Sequence, residues 1–187
     1  MRRSWQAAIA ALALSITSGT AAHADWGSRA MPPDVFGNTT AIATDTSATG
    51  DALVVQCNSK DSLDLAIVSP ATKSELDMMS RPGAGIPGLL LVRADQGPVS
   101  KFAAVIQQWN NTYIGIVASG RTTDLVATIH AIGNAKTNIS VGSEVAGDQH
   151  SETFSAAGST AAIATLIKAC KLDDITAAPN DTGKPKQ

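Results

Sequence analysis

The 187-residue chain is poor in most of the residue types that announce a chemistry. Aromatic side chains make up only 4 % of it, which leaves few flat platforms on which a sugar could stack. It has three histidines, two cysteines and 16 % charged residues. Lys and Arg are not clustered and the formal net charge is −2, so the cationic patches that displace counterions from nucleic-acid phosphate are missing. No H-E-x-x-H, acidic calcium loop or G-x-S-x-G elbow occurs. The pair Lys136-Thr137 lacks the first glycine of a P-loop. These absences assign no catalytic residue, no metal ligand and no cofactor site.

What is present begins with residues 1–24. Arg2 and Arg3 precede the apolar run AAIAALALSI, and small residues lead to Ala24, the pattern of a secretory signal peptide. The run is well short of the ~20 residues that a membrane-spanning helix needs. Ser4-Trp5-Gln6 after the arginines fits a twin-arginine signal poorly, and no cysteine near Ala24 offers a lipid attachment point. Removal of residues 1–24 lowers the basic count from 14 to 12 against 16 acidic side chains, a net charge of −4. The later stretches hold no apolar run long enough to cross a bilayer. The expected location is the periplasm, or outside the cell.

With 44 % hydrophobic residues, residues 25–172 suffice for one domain with its own core. Pro32-Pro33 argue against helix near its start, where Trp26 and Phe36 read as apolar plugs for an irregular segment. Thr39–Thr46, Ala52–Cys57 and Ser62–Ser69 alternate or are rich in β-branched residues, which predicts a meander of strands. Thr72–Ser80 reads as one or two helical turns, and Leu89–Asp95 and TYIGIVAS as further strands; Val99–Trp109 fits strand or helix, and the turn Asn110-Asn111 into TYIGIVAS favours strand. Thr122–Ala135 changes period: Leu125, Val126, Ile129 and Ile132 form a helical stripe, with Thr122 or Thr123 as N-cap and Gly133 as its stop. Two more strands flank the polar turn Gly147–His150. Ser159–Leu172 is a second amphipathic helix, capped by Ser159, with Ile163, Leu166, Ile167 and Cys170 on one side. Residues 173–187 read as a disordered polar tail in which Asp173 and Asp174 are solvated. The fold class is α+β, an antiparallel sheet or sandwich with two amphipathic helices.

Gly83, Gly85 and Gly88 match G-x-G-x-x-G, yet the following LLLVRAD is a strand where a dinucleotide fold needs a helix. Pro87 also removes a backbone donor inside the match. The stretch reads as a flexible loop. His130 reads as a boundary residue beside the helical stripe, and His150, in GDQHSE, as a solvent-exposed turn residue. An oxidising compartment would join Cys57 and Cys170 as a disulfide, tying an early strand to the last helix, with two separately buried thiols as the alternative.

Three stretches carry a family likeness: ALVVQC, LLVRADQGPVSKF and FSAAGSTAAIATLIKAC, the last with Phe154, Gly158, Leu166 and Cys170 in its key places. The chain resembles the type VI secretion-associated TagO/VasI-like family of exported proteins and, more loosely, invasion-associated locus B proteins. LDLAIVS departs from that pattern by lacking an aromatic residue. The resemblance implies a periplasmic accessory protein without catalytic activity, with Cys57 and Cys170 as its cysteine pair. The expected function is therefore binding of a protein partner, through a strand edge or a loop such as Arg81–Gly88. Alternatives are an inhibitor that plugs a host or rival enzyme and, behind it, a hydrolase whose site only the fold assembles. N-terminal sequencing of the exported protein is expected to begin at Asp25; an uncleaved Met1 would remove the case for export.

Overall fold

The computed structural model describes residues 26–60, 62–81, 83 and 85–177. Residues 1–24, read from the sequence as a signal peptide, and the tail beyond residue 177 lie outside the described residues. Among the described residues, nine strands form a single sheet: β1 Gly27–Ala30, β2 Thr40–Thr46, β3 Ala52–Asn58, β4 Leu63–Pro70, β5 Ile86–Ala94, β6 Ser100–Gln108, β7 Tyr113–Ser119, β8 Asn138–Val145 and β9 Asp148–Ser155. The described residues also form four helices: α1 Lys73–Met79, α2 Thr123–Asn134, α3 Ser159–Cys170 and α4 Asp173–Ala177. The fold is thus α+β, as expected, with one curled sheet in place of a two-sheet sandwich.

Strand order is β1-β2-β3-β4-β7-β6-β5-β8-β9, antiparallel throughout. Short turns join most neighbours, while β4 reaches β5 through α1 and β7 reaches β8 through α2. Period-two alternation sets the register. Leu53, Val55 and Cys57 stand opposite Ile67, Leu65 and Leu63, and all six are buried on the inner face of a half-barrel. Val54, Ala66, Val68 and Val117 form a second, smaller cluster on the outer face, with Trp109 and Tyr113 packed against it. β3 and β4 are therefore apolar on both sides, which accounts for the nearly continuous ALVVQC run.

The inner face is filled by α2 and α3. Leu125, Val126, Ile129 and Ile132 are buried, as their spacing predicts, and Thr122 caps α2 by accepting the Leu125 N–H at 3.2 Å. Gly133 does not stop this helix. It lies inside it, where a Cβ would stand 2.9 Å from Cγ2 of Ile163, so its role is to let α3 approach. Ser159 is likewise not the cap of α3. Gly158 holds that place with φ +84°, and the Ser159 side chain is buried. The expected tail also begins later than predicted: Asp173–Ala177 are helical, because Leu172 is fully buried and Ile175 packs on the core.

Cys57 and Cys170 are joined by a disulfide with Cα atoms 6.2 Å apart, and both are buried. Arg121 ties the same two segments, its guanidinium donating to the carbonyls of Asn58 at 2.8 Å and Cys170 at 2.9 Å. On the far side of the sheet, Asp95 performs a comparable task for the α2–β8 connection. Its carboxylate accepts the Thr137 hydroxyl and the N–H groups of Lys136, Thr137 and Asn138. Those donors, Thr137 foremost, hold its pKa far below the usual carboxylate range.

Thiol titration without reductant is expected to find no free cysteine. Cys170→Ser is expected to cost about 2–5 kcal/mol of unfolding free energy in denaturant titrations. Arg121→Ala should cost roughly 1–3 kcal/mol, because it leaves two carbonyls without a charged donor. Unchanged midpoints would make the crosslink and its clamp incidental.

Candidate functional site

The most exposed apolar side chains of the described structure lie together between β1 and β2. Val35 is 93 % and Phe36 85 % exposed, and Met31 beside them is also exposed. Phe36 is therefore not the plug its composition suggests; Trp26 alone takes that role, buried and donating its indole N–H to the Ser155 carbonyl at 2.7 Å. Phe36 fails as a plug because residues 34–38 close on themselves. Asp34 accepts the N–H groups of Phe36 and Asn38 through Oδ1, both at 2.8 Å, and the Asn38 amide through Oδ2. Its own backbone exchanges bonds with Gly37 and Asn38. Gly37 takes φ +81°, which completes the turn. Hydrogen bonds from Asn38, backbone first, hold the Asp34 carboxylate below its ordinary pKa. The result is a preformed turn that aims two apolar side chains at solvent.

A second group of side chains meets where the two flanks of the sheet approach. β1 pairs with β2 only as far as Thr44, so beyond that point the β2–β3 hairpin faces β9. Asp51 stands at the entry to β3, its carbonyl accepting the Ser47 N–H at 2.7 Å. From β9, His150 and Glu152 project on the face shared with buried Phe154, as residues two apart on a strand must. His150 Nε2 lies 3.0 Å from Asp51 Oδ2 and 3.5 Å from Glu152 Oε1. His150 is thus a strand residue paired with acids, not a free residue of a turn. The turn itself is Ala146-Gly147, both with positive φ, the backbone form that matches strand twist in tight hairpins. Asp51 and His150 are 99 positions apart, which is why no local motif disclosed the group.

His130 pairs elsewhere, with Asp173 on α4 at 3.4 Å. It lines a depression with Ala164, Ile167 and Lys171, whereas His150 borders one with Leu91, Gly142 and Gln149. The two histidines do not converge. A further cleft of about 330 Å³ lies between α2 and the β5–β6 hairpin, with Phe102 in its wall, a Thr128–Ser100 hydroxyl pair 2.8 Å apart and Lys101 and Asp124 beside it.

The glycine match resolves into unrelated parts. Gly83 sits in a turn with φ +77°, while Gly88 lies inside β5, where a Cβ would stand 2.9 Å from the Glu144 carbonyl of β8. Close sheet pairing demands that glycine, and a strand follows where phosphate binding would need a helix N-terminus. Comparison with protein-family models, with curated proteins and with solved structures found no match to this chain.

Asp34→Ala is expected to loosen the turn and speed amide exchange at Phe36 and Asn38. The wild-type turn should be fully ordered above the ordinary carboxylate pKa near ~4 and lose protection as pH falls through the lower folded value. Equal exchange in both proteins at pH 7 would mean that the carboxylate does not hold the turn.

Proposed function

We propose that this chain is an exported, disulfide-stapled accessory protein without catalytic activity, which acts by binding another protein through residues 31–38. One observation carries the reading: two large apolar side chains, Val35 and Phe36, stand almost fully in water on a turn that is already hydrogen-bonded. Exposed apolar groups gain by being covered, and a preformed turn loses little conformational entropy when they are. An aromatic anchor entering a partner's apolar pocket is a common centre of binding energy. The occupant fits a protein better than a lipid surface, since residues 31–38 carry Asp34 and no Lys or Arg. A role beside a secretion system or in the cell envelope is what the likeness to the TagO/VasI-like proteins implies.

The same protruding turn supports a second reading, an inhibitor that plugs the cleft of a host or rival enzyme. A hydrolase has less support, because His130 and His150 each face different carboxylates and line different depressions. The loop Arg81–Gly88 also gives way to residues 31–38 as the docking element, since Gly88 is absorbed into β5. The test compares wild type with the Val35→Ser, Phe36→Ser double variant. Both should melt alike, because neither side chain packs on the core. Wild type is expected to retain one stoichiometric protein from periplasmic extract and the variant to lose it at least tenfold. Equal retention would refute the docking role, and lost activity of a retained enzyme would select the inhibitor reading.

A further inference from the structure

Asp51, His150 and Glu152 are the one group of three His, Cys, Asp or Glu side chains among the described residues whose ligand atoms all lie within 4.8 Å of one another. We infer that they form a binding site for a single Zn²⁺ ion, which bridges the β2–β3 hairpin to β9. Zinc takes nitrogen and carboxylate ligands at about 2.0–2.2 Å, so two ligands of a tetrahedral ion stand roughly 3.3 Å apart. The imidazole Nε2 is 3.0 Å from one carboxylate oxygen and 3.5 Å from the other, values that bracket this separation. The two carboxylate oxygens lie within 4.8 Å of each other, so the three ligand atoms already surround a space that an ion could enter.

Charge supports the same conclusion. The side chains of Asp51 and Glu152 are 11 % and 12 % exposed, yet among the described residues no Lys or Arg pairs with either. Two nearly buried carboxylates share one imidazole, which supplies at most a single positive charge. A divalent ion would neutralise both, and buried carboxylates are tolerated when they are paired or bind metal. His150 is 52 % exposed, so the group opens to solvent on one side, leaving room for a water as fourth ligand. The nitrogen ligand favours Zn²⁺ over Ca²⁺ and Mg²⁺, which prefer all-oxygen shells. Because the ligands come from opposite flanks of the sheet, an ion that binds only the folded chain raises its stability by mass action.

The test uses untagged, chelator-stripped protein titrated with zinc chloride in a calorimeter and a melting assay. One Zn²⁺ per chain is expected, with a melting temperature raised by roughly 5–10 °C at a hundredfold excess over Kd. His150→Ala and Glu152→Gln, each checked for native circular dichroism, should weaken binding at least tenfold. His130→Ala should leave it unchanged. Failure to bind Zn²⁺, binding that survives His150→Ala, or tighter binding of Ca²⁺ than of Zn²⁺ would each overturn the assignment. None of these outcomes depends on residues 31–38.

Discussion

The bond between Cys57 and Cys170 is the constraint on which the rest of the molecule leans. It fastens the end of α3 to β3, and β3 is buried on both faces. Arg121 reinforces the same junction by reaching the carbonyls next to and at those cysteines. A helix held at that point must lie across the early strands, and α3 there meets β1, β2 and β3. Joining positions 113 apart also removes much of the freedom of the unfolded chain, most of whose length lies inside the closed loop. The chain has few aromatic residues with which to enlarge its core, so this crosslink supplies stability that packing alone would otherwise have to provide.

With α3 fixed, the half-barrel still has an open side between its first and last strands. Separate contacts manage it. At one end Trp26, just before β1, crosses to the end of β9, donating its indole N–H to the Ser155 carbonyl and its backbone N–H to the Ala157 carbonyl. At the other end Asp51 reaches His150, with Glu152 beside them. The first is an apolar plug with its one donor satisfied, a stable arrangement without any ion. The second gathers like charges at a half-open edge, which is costly for a merely structural link. That contrast separates a fastening from a ligand site within the same seam.

The exposed turn of residues 34–38 and the Asp51–His150–Glu152 cluster are also physically independent. Residues 34–38 draw their rigidity from one carboxylate and the backbone around it. Nothing in that turn requires the core, so its apolar tip can be altered without disturbing the fold. The seam site, in contrast, exists only because distant strands curl together. An altered tip would therefore leave the seam intact, and a disrupted seam would leave the turn intact.

Period-two alternation in Ala52–Cys57 and Ser62–Ser69, the helical stripes in α2 and α3, and the meeting of Cys57 with Cys170 were legible in the chain, since each depends on local spacing or on the chemistry of a lone cysteine pair. The strand Gly27–Ala30 was not, because its residues are exposed and only pairing with β2 makes them a strand. Neither was the interior position of Gly133, which reads as a helix stop until Ile163 is seen against it. Phe36 shows the limit most clearly: hydrophobicity predicts burial, yet the local hydrogen bonds of Asp34 turn it outward. By itself the sequence determined the α+β class, the alternating core and the sulfur partners, which follow from periodicity and composition. Only the tertiary structure decided that a turn would present Val35 and Phe36 to water and that Asp51 would face His150, because both outcomes depend on where the chain returns in space.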